Sequence, residues 1–485
     1  MLKKWIFISL LILTTDSIAQ PSVIWTKTYG GEFSDGAKSF VAAHDGGFVL
    51  CGFTYSSGNG ASDIYIVRVD LEGNEIWSKT FGTTAFEYGN TITALSSGGY
   101  AVAGYSSASG SKDFYIVKID NDGNEIWSKT FGGESLDIAT CIDETQDGGL
   151  IINGYTGNET AGENDMYVVK LNSAGELVWD KKFGDTSNES GASVIENTDG
   201  SLLILGSTGS YGATNLDYFL VKTDAQGNLL WKKNYNRSNF DIGSFMIPYS
   251  DGDFILIGSG DKHGSDFMDA VAIKVDKDGT KKWLKYFDNY NFYDYGAAAC
   301  EDDSSNIIIC GNTKSNIAMN TDVYLIKLNA SGSTIWKKAI DLSKTDWTNS
   351  VLSLNNDIYV LGQTNSTGNG SYDMMLMKLN DPVTGIEQSQ DEEMGFNLYQ
   401  NSPNPFNMQT AIDFTLPETS NVKLNIYDST GRLIRNLINE EKPGGHNAII
   451  WDGLNNSHEV VSSGIYFYSM ISGNLSQTKK MILLK

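Results

Sequence analysis

Asp70-Leu-Glu-Gly73-Asn-Glu-Ile-Trp77 and Asp120-Asn-Asp-Gly123-Asn-Glu-Ile-Trp127 are near copies of one another, 50 residues apart. Outward from them the same tryptophan recurs at Trp25, Trp77, Trp127, Trp179, Trp231, Trp283 and Trp336, in steps of 52, 50, 52, 52, 52 and 53 residues. A fixed period of this size marks a repeat architecture rather than one irregular core. In six copies a glycine stands four residues before the Trp, beside Asn or another small polar residue, which is tight-turn chemistry because these residues tolerate positive φ.

Before that turn lies a β-rich run, at 64–69, 114–119 and 166–171; after it comes the short Trp strand. Further upstream, Gly47-Phe-Val-Leu-Cys-Gly-Phe-Thr54 is entered from a second turn at 41–47, so each unit reads as four strands of about 5–7 residues. The third strands, such as Ile64-Tyr-Ile-Val67, are almost continuously apolar, as strands buried on both faces are. Every second strand carries a glycine (Gly52, Gly104, Gly154, Gly206, Gly258, Gly311, Gly362), which predicts close approach of a neighbouring sheet. The first Trp strand has no strands before it, and the last unit, at 373–379, has no Trp strand after it. The two deficits fit. They predict an all-β, seven-bladed β-propeller over residues 20–380, its ring closed by the N-terminal strand. A linear β-solenoid is the alternative; it needs capping ends and leaves the split repeat unexplained.

Asp-x-x-Gly-x-x-x-Trp resembles the tryptophan-docking repeat of quinoprotein-like propellers, in which the indole wedges between blades. The resemblance implies fold, and a blade-docking role for the seven tryptophans. It implies no quinone, and no cofactor is expected.

The two ends of the chain read as addresses. Lys3 and Lys4, an apolar stretch at 5–13 and Ser17-Ile-Ala19 make a secretory signal peptide over residues 1–19. No later stretch is long and apolar enough to span a membrane as a helix, so none is expected in the mature chain. Residues 381–395 are acidic and read as a linker. Residues 396–485 hold strand-like runs between Gly, Asn and Asp turns and predict a small β-sandwich. This tail resembles the type A C-terminal sorting domain of type IX secretion cargo, an immunoglobulin-like module. The residues that carry the likeness include Pro403, Asn404, Pro405, Phe406, Trp451, Gly464, Tyr466 and Lys480. The resemblance implies engagement with the secretion machinery and delivery to the cell surface or the exterior. Four cysteines do not make a disulfide scaffold in a chain this size; Cys300 and Cys310 are the one pair placed on adjacent strands.

The formal net charge is −24, almost all of it within residues 20–380. Such a surface repels nucleic acid and anionic lipid, leaving cations, neutral glycans and basic protein patches as ligand classes. One acid follows each Trp by ten residues, or eleven in the sixth unit: Asp35, Glu87, Asp137, Glu189, Asp241, Asp294 and Asp346. Placed before the innermost strands, they either ring a channel mouth, where calcium would suit their hard oxygens, or accept backbone N–H bonds that shape their own loops. A second set (Asp63, Asp113, Asp165, Asp217, Asp269, Asp322, Asp373) and a basic set (Arg68, Lys118, Lys170, Lys222, Lys274, Lys327, Lys378) read as structural. Tyr293, Tyr295 and Trp347 are loop aromatics that could stack on a sugar or simply pack. Only His44 and His263 lie in the repeats, on opposite faces by their repeat positions, and no phosphate-cradling or Cys-x-x-Cys motif occurs. The reading is a non-catalytic binding module with a glycan or protein ligand on the long-loop face. A polysaccharide hydrolase or lyase using the carboxylates is the rival.

Overall fold

The computed structural model describes residues 20–157, 164–213, 215–235, 240–261, 268–289, 293–314, 320–382, 397–399, 401, 406, 409–416, 419–443, 445–457, 459–473 and 475–483. The signal-peptide residues, most of the linker, His263, Pro403, Asn404 and Pro405 lie outside them. The chain forms two compact units, Met1–Ile386 and Glu387–Lys485. Both are all-β, and among the described residues there is no helix.

The first unit holds seven four-stranded antiparallel sheets among its described residues. Sheet one is Asp35–Ala42, Phe48–Thr54, Asp63–Val69 and Glu75–Phe81, and the next five follow the same order. The seventh contains Asp346–Leu354, Asp357–Thr364 and Asp373–Asn380, and its fourth strand is the N-terminal Val23–Tyr29, paired antiparallel with Asp373–Asn380. Sheet seven also touches sheet one. Asn349 Nδ2 donates to the Ala37 carbonyl at 2.8 Å, and Phe48 packs 4.5 Å from Tyr359, ring centre to ring centre.

Each tryptophan of the outer strands reaches forward to the next sheet. A Cβ on Gly73 would lie 2.8 Å from the Trp25 ring, and the same relation joins Trp77 to Gly123, Trp127 to Gly175, Trp179 to Gly227, Trp231 to Gly279 and Trp283 to Gly332. These glycines have φ of 70–79°, so both the turn and the indole above it exclude a side chain. Trp336 has no such turn beyond it and is 2 % exposed.

The second-strand glycines have a further cause beside the close neighbouring sheet that the sequence suggests. A Cβ on Gly104 would meet the Tyr88 carbonyl oxygen at 1.7 Å, and one on Gly52 the Gly36 oxygen at 1.8 Å. Both carbonyls belong to the first strand of the same sheet, just before a β-bulge at Asn90 or Lys38. The neighbouring sheet approaches these positions as well: a Cβ on Gly206 would meet Met166 Cε at 2.6 Å and one on Gly258 the Tyr218 hydroxyl at 2.5 Å, and first-strand glycines of the next sheet pack against them. A Cβ on Gly89 would meet Cys51 Sγ at 2.7 Å, and one on Gly296 the Gly258 oxygen at 2.6 Å.

The four cysteines are free, including Cys300 and Cys310. Burial pushes the Cys141 and Cys310 thiols up to about 12, which removes thiolate character.

The second unit pairs Leu433–Lys442, Ser420–Asp428, Gly464–Ser472 and Leu475–Leu483 in one sheet, and Asn397–Leu398, Thr410–Leu416 and Gly445–Trp451 in another. Its core surrounds the fully buried Trp451, 5.5 Å from Phe406 and edge-on to Tyr466 at 5.2 Å. Trp451 Nε1 donates to the Leu454 carbonyl at 3.0 Å, and the Tyr466 hydroxyl to Ser462 at 2.7 Å. Gly464 opens its strand and Lys480 lies in the last one.

Candidate functional site

Strand register brings the two acid sets together. Each first-strand acid and each third-strand Asp faces the same second-strand position: Glu87 and Asp113 both pair with Ser106, Glu189 and Asp217 with Thr208, Asp294 and Asp322 with Thr313. Across sheet boundaries, acids also meet around a connecting glycine. A Cβ on Gly82 would lie 2.1 Å from Asp63 Oδ1 and 2.7 Å from Glu87 Oε2; one on Gly132 would lie 2.4 Å from Asp113 Oδ1 and 2.6 Å from Asp137 Oδ2.

All seven ring acids are buried, and most are occupied by their own loops. Asp35 accepts from Gly31 N at 2.6 Å, Glu87 from Thr83 N at 2.8 Å, Asp137 from Gly133 N at 3.1 Å, Glu189 from Asp185 N at 3.0 Å and Asp294 from Asn289 N at 2.6 Å. Hydroxyls supply further donors, Ser106 to Glu87 at 2.6 Å, Thr208 to Glu189 at 2.5 Å and Ser366 to Asp346 at 2.9 Å. Asp241 holds the corresponding place in the fifth sheet, also buried. These bonds close the loops in the manner of local side-chain-to-backbone caps.

The sixth sheet gathers a third acid. Where Gly30, Gly82, Gly132 and Gly184 stand in four of the connections, the one leading to this sheet has Asp288, as the one leading to the seventh has Asp341. Asp269, Asp288 and Asp294 each place a carboxylate oxygen within 4.8 Å of the others. Burial pushes the Asp294 carboxyl up to about 8, with Asp288 and Asp269 adding to the rise. Beside it Tyr293 and Tyr295 lie parallel, 6.2 Å apart, and Lys314 Nζ sits 5.1 Å from the Tyr293 ring centre. Trp347 is half-buried and follows Asp346 in the seventh sheet. The structure thus groups Tyr293 and Tyr295 with Asp294.

Sequence reasoning missed a larger aromatic array on sheets one and two. Phe53 lies 4.3 Å from Tyr88, Tyr88 stacks on Tyr105 at 5.0 Å and 12°, and Tyr55 meets Phe53 and Tyr88 edge-on. The Tyr55 and Tyr88 hydroxyls bond to each other, and Lys112 Nζ stands 4.4 Å over Tyr105. Tyr55 is 39 % exposed; Phe33 and Phe86, in the adjoining loops, are 62 % and 46 % exposed. Their sequence signal was an aromatic residue directly after the second-strand glycine, Phe53 after Gly52 and Tyr105 after Gly104, visible once the repeats are superposed.

The basic set is mostly spent on neighbouring acids: Lys170 with Asp147 at 2.8 Å, Lys274 with Asp251 at 2.6 Å, Lys378 with Asp357 at 2.8 Å, Arg68 with Asp45, and Lys327 with both Asp302 and Asp381. Lys118 and Lys222 donate to the carbonyls of Ser173 and Lys277 instead.

Comparison with known proteins divides along the chain. Residues 404–475 match the FlgD Ig-like domain. The C-terminal unit therefore carries an immunoglobulin-like domain. The regulatory protein FlaEY of Caulobacter vibrioides is 31 % identical over 88 residues, which is 16 % of this chain and 9 % of that protein. Among solved structures, PorZ, an essential bacterial surface component of the type-IX secretion system of Porphyromonas gingivalis, aligns at 13 % identity over 96 % of this chain and 61 % of that one, with a TM-score of 0.42. The Pan2 WD40 domain of Neurospora crassa aligns at 7 % identity over 75 % of this chain and 95 % of that one, TM-score 0.47. Among the described residues no helix is long and apolar enough to cross a membrane.

Proposed function

We propose that this chain is an exported recognition protein. In this reading residues 20–380 are a closed seven-bladed propeller whose long-loop face binds a glycan or protein without transforming it. Residues 396–485 act as the sorting domain that hands it to type IX secretion machinery for the cell surface or the exterior. The observation that carries the binding role is the array of Phe53, Tyr55, Tyr88 and Tyr105, half-open to solvent beside the exposed Phe33 and Phe86. Aromatic side chains offer large contact area at low entropy cost, with hydroxyls to orient a polar ligand. The ring acids sit next to this surface with their oxygens held by loop N–H groups, an arrangement suited to a rigid scaffold. Closure of the ring is supported by the N-terminal strand in sheet seven and by Trp25 over Gly73. The docking tryptophans ally the repeats with quinoprotein-like propellers in architecture, and the reading needs no cofactor.

Binding of the full chain to a panel of glycans and surface proteins, repeated with the Tyr55→Ala, Tyr88→Ala variant, tests the first half. A ligand retained undiminished by that variant would refute the face assigned. Deleting residues 396–485 tests the second half: the truncated chain is expected to stay in the periplasm of a type IX-secreting host, and normal delivery would refute the sorting role.

One observation favours a second reading. Asp294, raised to about 8 beside Asp269 and Asp288, has the character of a general acid in a glycan hydrolase or lyase. Turnover of a polysaccharide that Asp294→Asn abolishes in a folded chain would establish it.

A further inference from the structure

The outer strands, with the turns that lead into them, carry charge unevenly. Residues 70–81 on sheet one and 120–131 on sheet two each hold three carboxylates and one lysine. Residues 172–183 on sheet three balance at two and two, and residues 224–235 on sheet four hold one acid and two lysines. Residues 276–287 on sheet five hold two acids and four lysines, and residues 329–340 on sheet six hold two lysines and no acid. The position two residues before the Trp shows the drift by itself: Glu75, Glu125, Leu177, Leu229, Lys281 and Thr334. Each first strand lies against the first strand of the next sheet, and the seventh against that of the first. The rim therefore has an acidic pole at sheets one and two and a basic pole at sheets five and six, parted by sheets three and four on one side and sheet seven on the other.

Part of this charge is used within the chain. Lys282 bonds Asp253 at 2.6 Å. Lys232 on sheet four lies over the Tyr211 ring, 3.4 Å from its centre, which positions an ammonium without neutralising it. Glu72, Glu75, Asp122 and Glu125 at one pole, and Lys277, Lys281 and Lys337 at the other, are exposed. Among the described residues none of these seven makes an ion pair; Lys337 meets only the Asp288 carbonyl, at 3.3 Å. The strands that carry them are also edges. Each is the last of its sheet, so one row of its backbone N–H and C=O groups is unpaired by the ladder. Ile76 and Ile126 are exposed at the acidic pole, and Leu229 and Leu230 beside the basic one. Such an edge is a template for another chain.

We infer that this protein self-associates head to tail, the acidic rim of sheets one and two in one copy seated on the basic rim of sheets five and six in the next. Unlike poles attract and like poles repel, which selects this pairing over an edge meeting its own copy. Because the two patches differ and lie apart on the rim, each contact leaves a free pole at either end, and copies add in a row. The net charge of −24 opposes association at long range. At physiological ionic strength exposed charges are screened beyond about 8 Å, so the local patches decide at contact. A contact of one or two strands is small, hence weak, and shows itself where the protein is concentrated. It uses none of the loop-face aromatics and stands whether or not they bind a ligand.

Sedimentation velocity of the full chain over a concentration series, at about 0.1 M and about 1 M salt, tests this. Species larger than a dimer are expected at the lower salt, with association at least tenfold weaker at the higher. Two variants follow: Glu72→Lys, Glu75→Lys, Asp122→Lys, Glu125→Lys, which turns the acidic pole basic, and Lys277→Glu, Lys281→Glu, Lys337→Glu, which turns the basic pole acidic. Each alone is expected to stay monomeric at unchanged Tm, and an equimolar mixture of the two to associate again, because unlike poles meet in it. Should the fourfold variant lose its fold, Glu75→Lys, Glu125→Lys leaves that pole neutral and is expected to weaken association of the chain at least tenfold. A monomer at every concentration, a dimer that grows no further, association that either reversed variant keeps alone, or a mixture that stays monomeric would each overturn the inference.

Discussion

Ser22 donates its backbone N–H to the side chain of Asn380 at 2.6 Å, across 358 residues of chain. The contact sits at the seam where the strand that opens the repeats completes the sheet that ends them.

Removing residues 20–30 strips sheet seven to three strands and exposes the edge of Asp373–Asn380, whose outer partner is lost. An exposed, unpaired edge is a template for association. The expected outcome is a Tm lowered by roughly 5 °C, the scale of a few kcal/mol in a repeat region this long, with concentration-dependent aggregation. Calorimetry and light scattering check it; an unchanged Tm would mean that the seam adds nothing to the repeats.

Gly104→Ala places a methyl 1.7 Å from the Tyr88 oxygen, so the bulge must shift. The expected cost is at least about 3 kcal/mol. Gly133→Ala, with open space around its Cβ and no positive φ, is expected to change stability by less than about 0.5 kcal/mol. Urea unfolding of the two variants separates them.

Asp294 gives the stability a pH dependence of known sign. Its native carboxyl is raised to about 8, against 3.8 for an ordinary aspartate. The native state therefore keeps a proton that the unfolded state releases above about pH 4. The stabilisation this proton brings is complete below that pH and is lost as pH rises toward 8. Asp294→Asn mimics the protonated form, so the variant is expected to gain Tm over the parent at pH 8, and the gain is expected to vanish near pH 4. Equal pH profiles for the two chains would contradict the assignment.

The Asp269, Asp288 and Asp294 group also decides the calcium question. With the ring acids held by their loops, calcium is expected to move Tm by less than a degree relative to a chelator. A rise of several degrees that Asp288→Asn removes would show the opposite, since a ligand of the native state raises stability by mass action.

Trp451 fills the core of the C-terminal unit. Trp451→Ala is expected to cost about 3–5 kcal/mol there. Two-transition calorimetry should show the loss confined to the melting of Glu387–Lys485, leaving the larger unit unmoved.

Much of the fold was written at local range. The interval between tryptophans, the glycine four residues earlier and the apolar third strands are all signals within a few residues of one another, and period alone exposes them. The site was less legible because its groupings depend on pairing. Nothing in the order of residues says that Glu87 and Asp113 face the same Ser106, or that Phe53 lies 4.3 Å from Tyr88. The second-strand glycines were read only in part for the same reason: beside the close neighbouring sheet, a carbonyl across the ladder also obstructs a side chain, set by a bulge no local pattern announces. Lys232 passed unnoticed because an exposed lysine beside a Trp is ordinary until Tyr211 arrives from another strand's loop.

The seam between Ser22 and Asn380 has a kinetic meaning. Sheets one to six are built from strands joined by short turns, and each can form as soon as its own residues are available. Sheet seven cannot be completed until nearly the whole repeat region has been made, and closing a loop of that length costs about 4 kcal/mol more than closing a hairpin of a few residues. The last event in assembly is thus the return of the first strand made. A chain halted before Asn380 carries an unpaired leading strand beside a row of finished sheets.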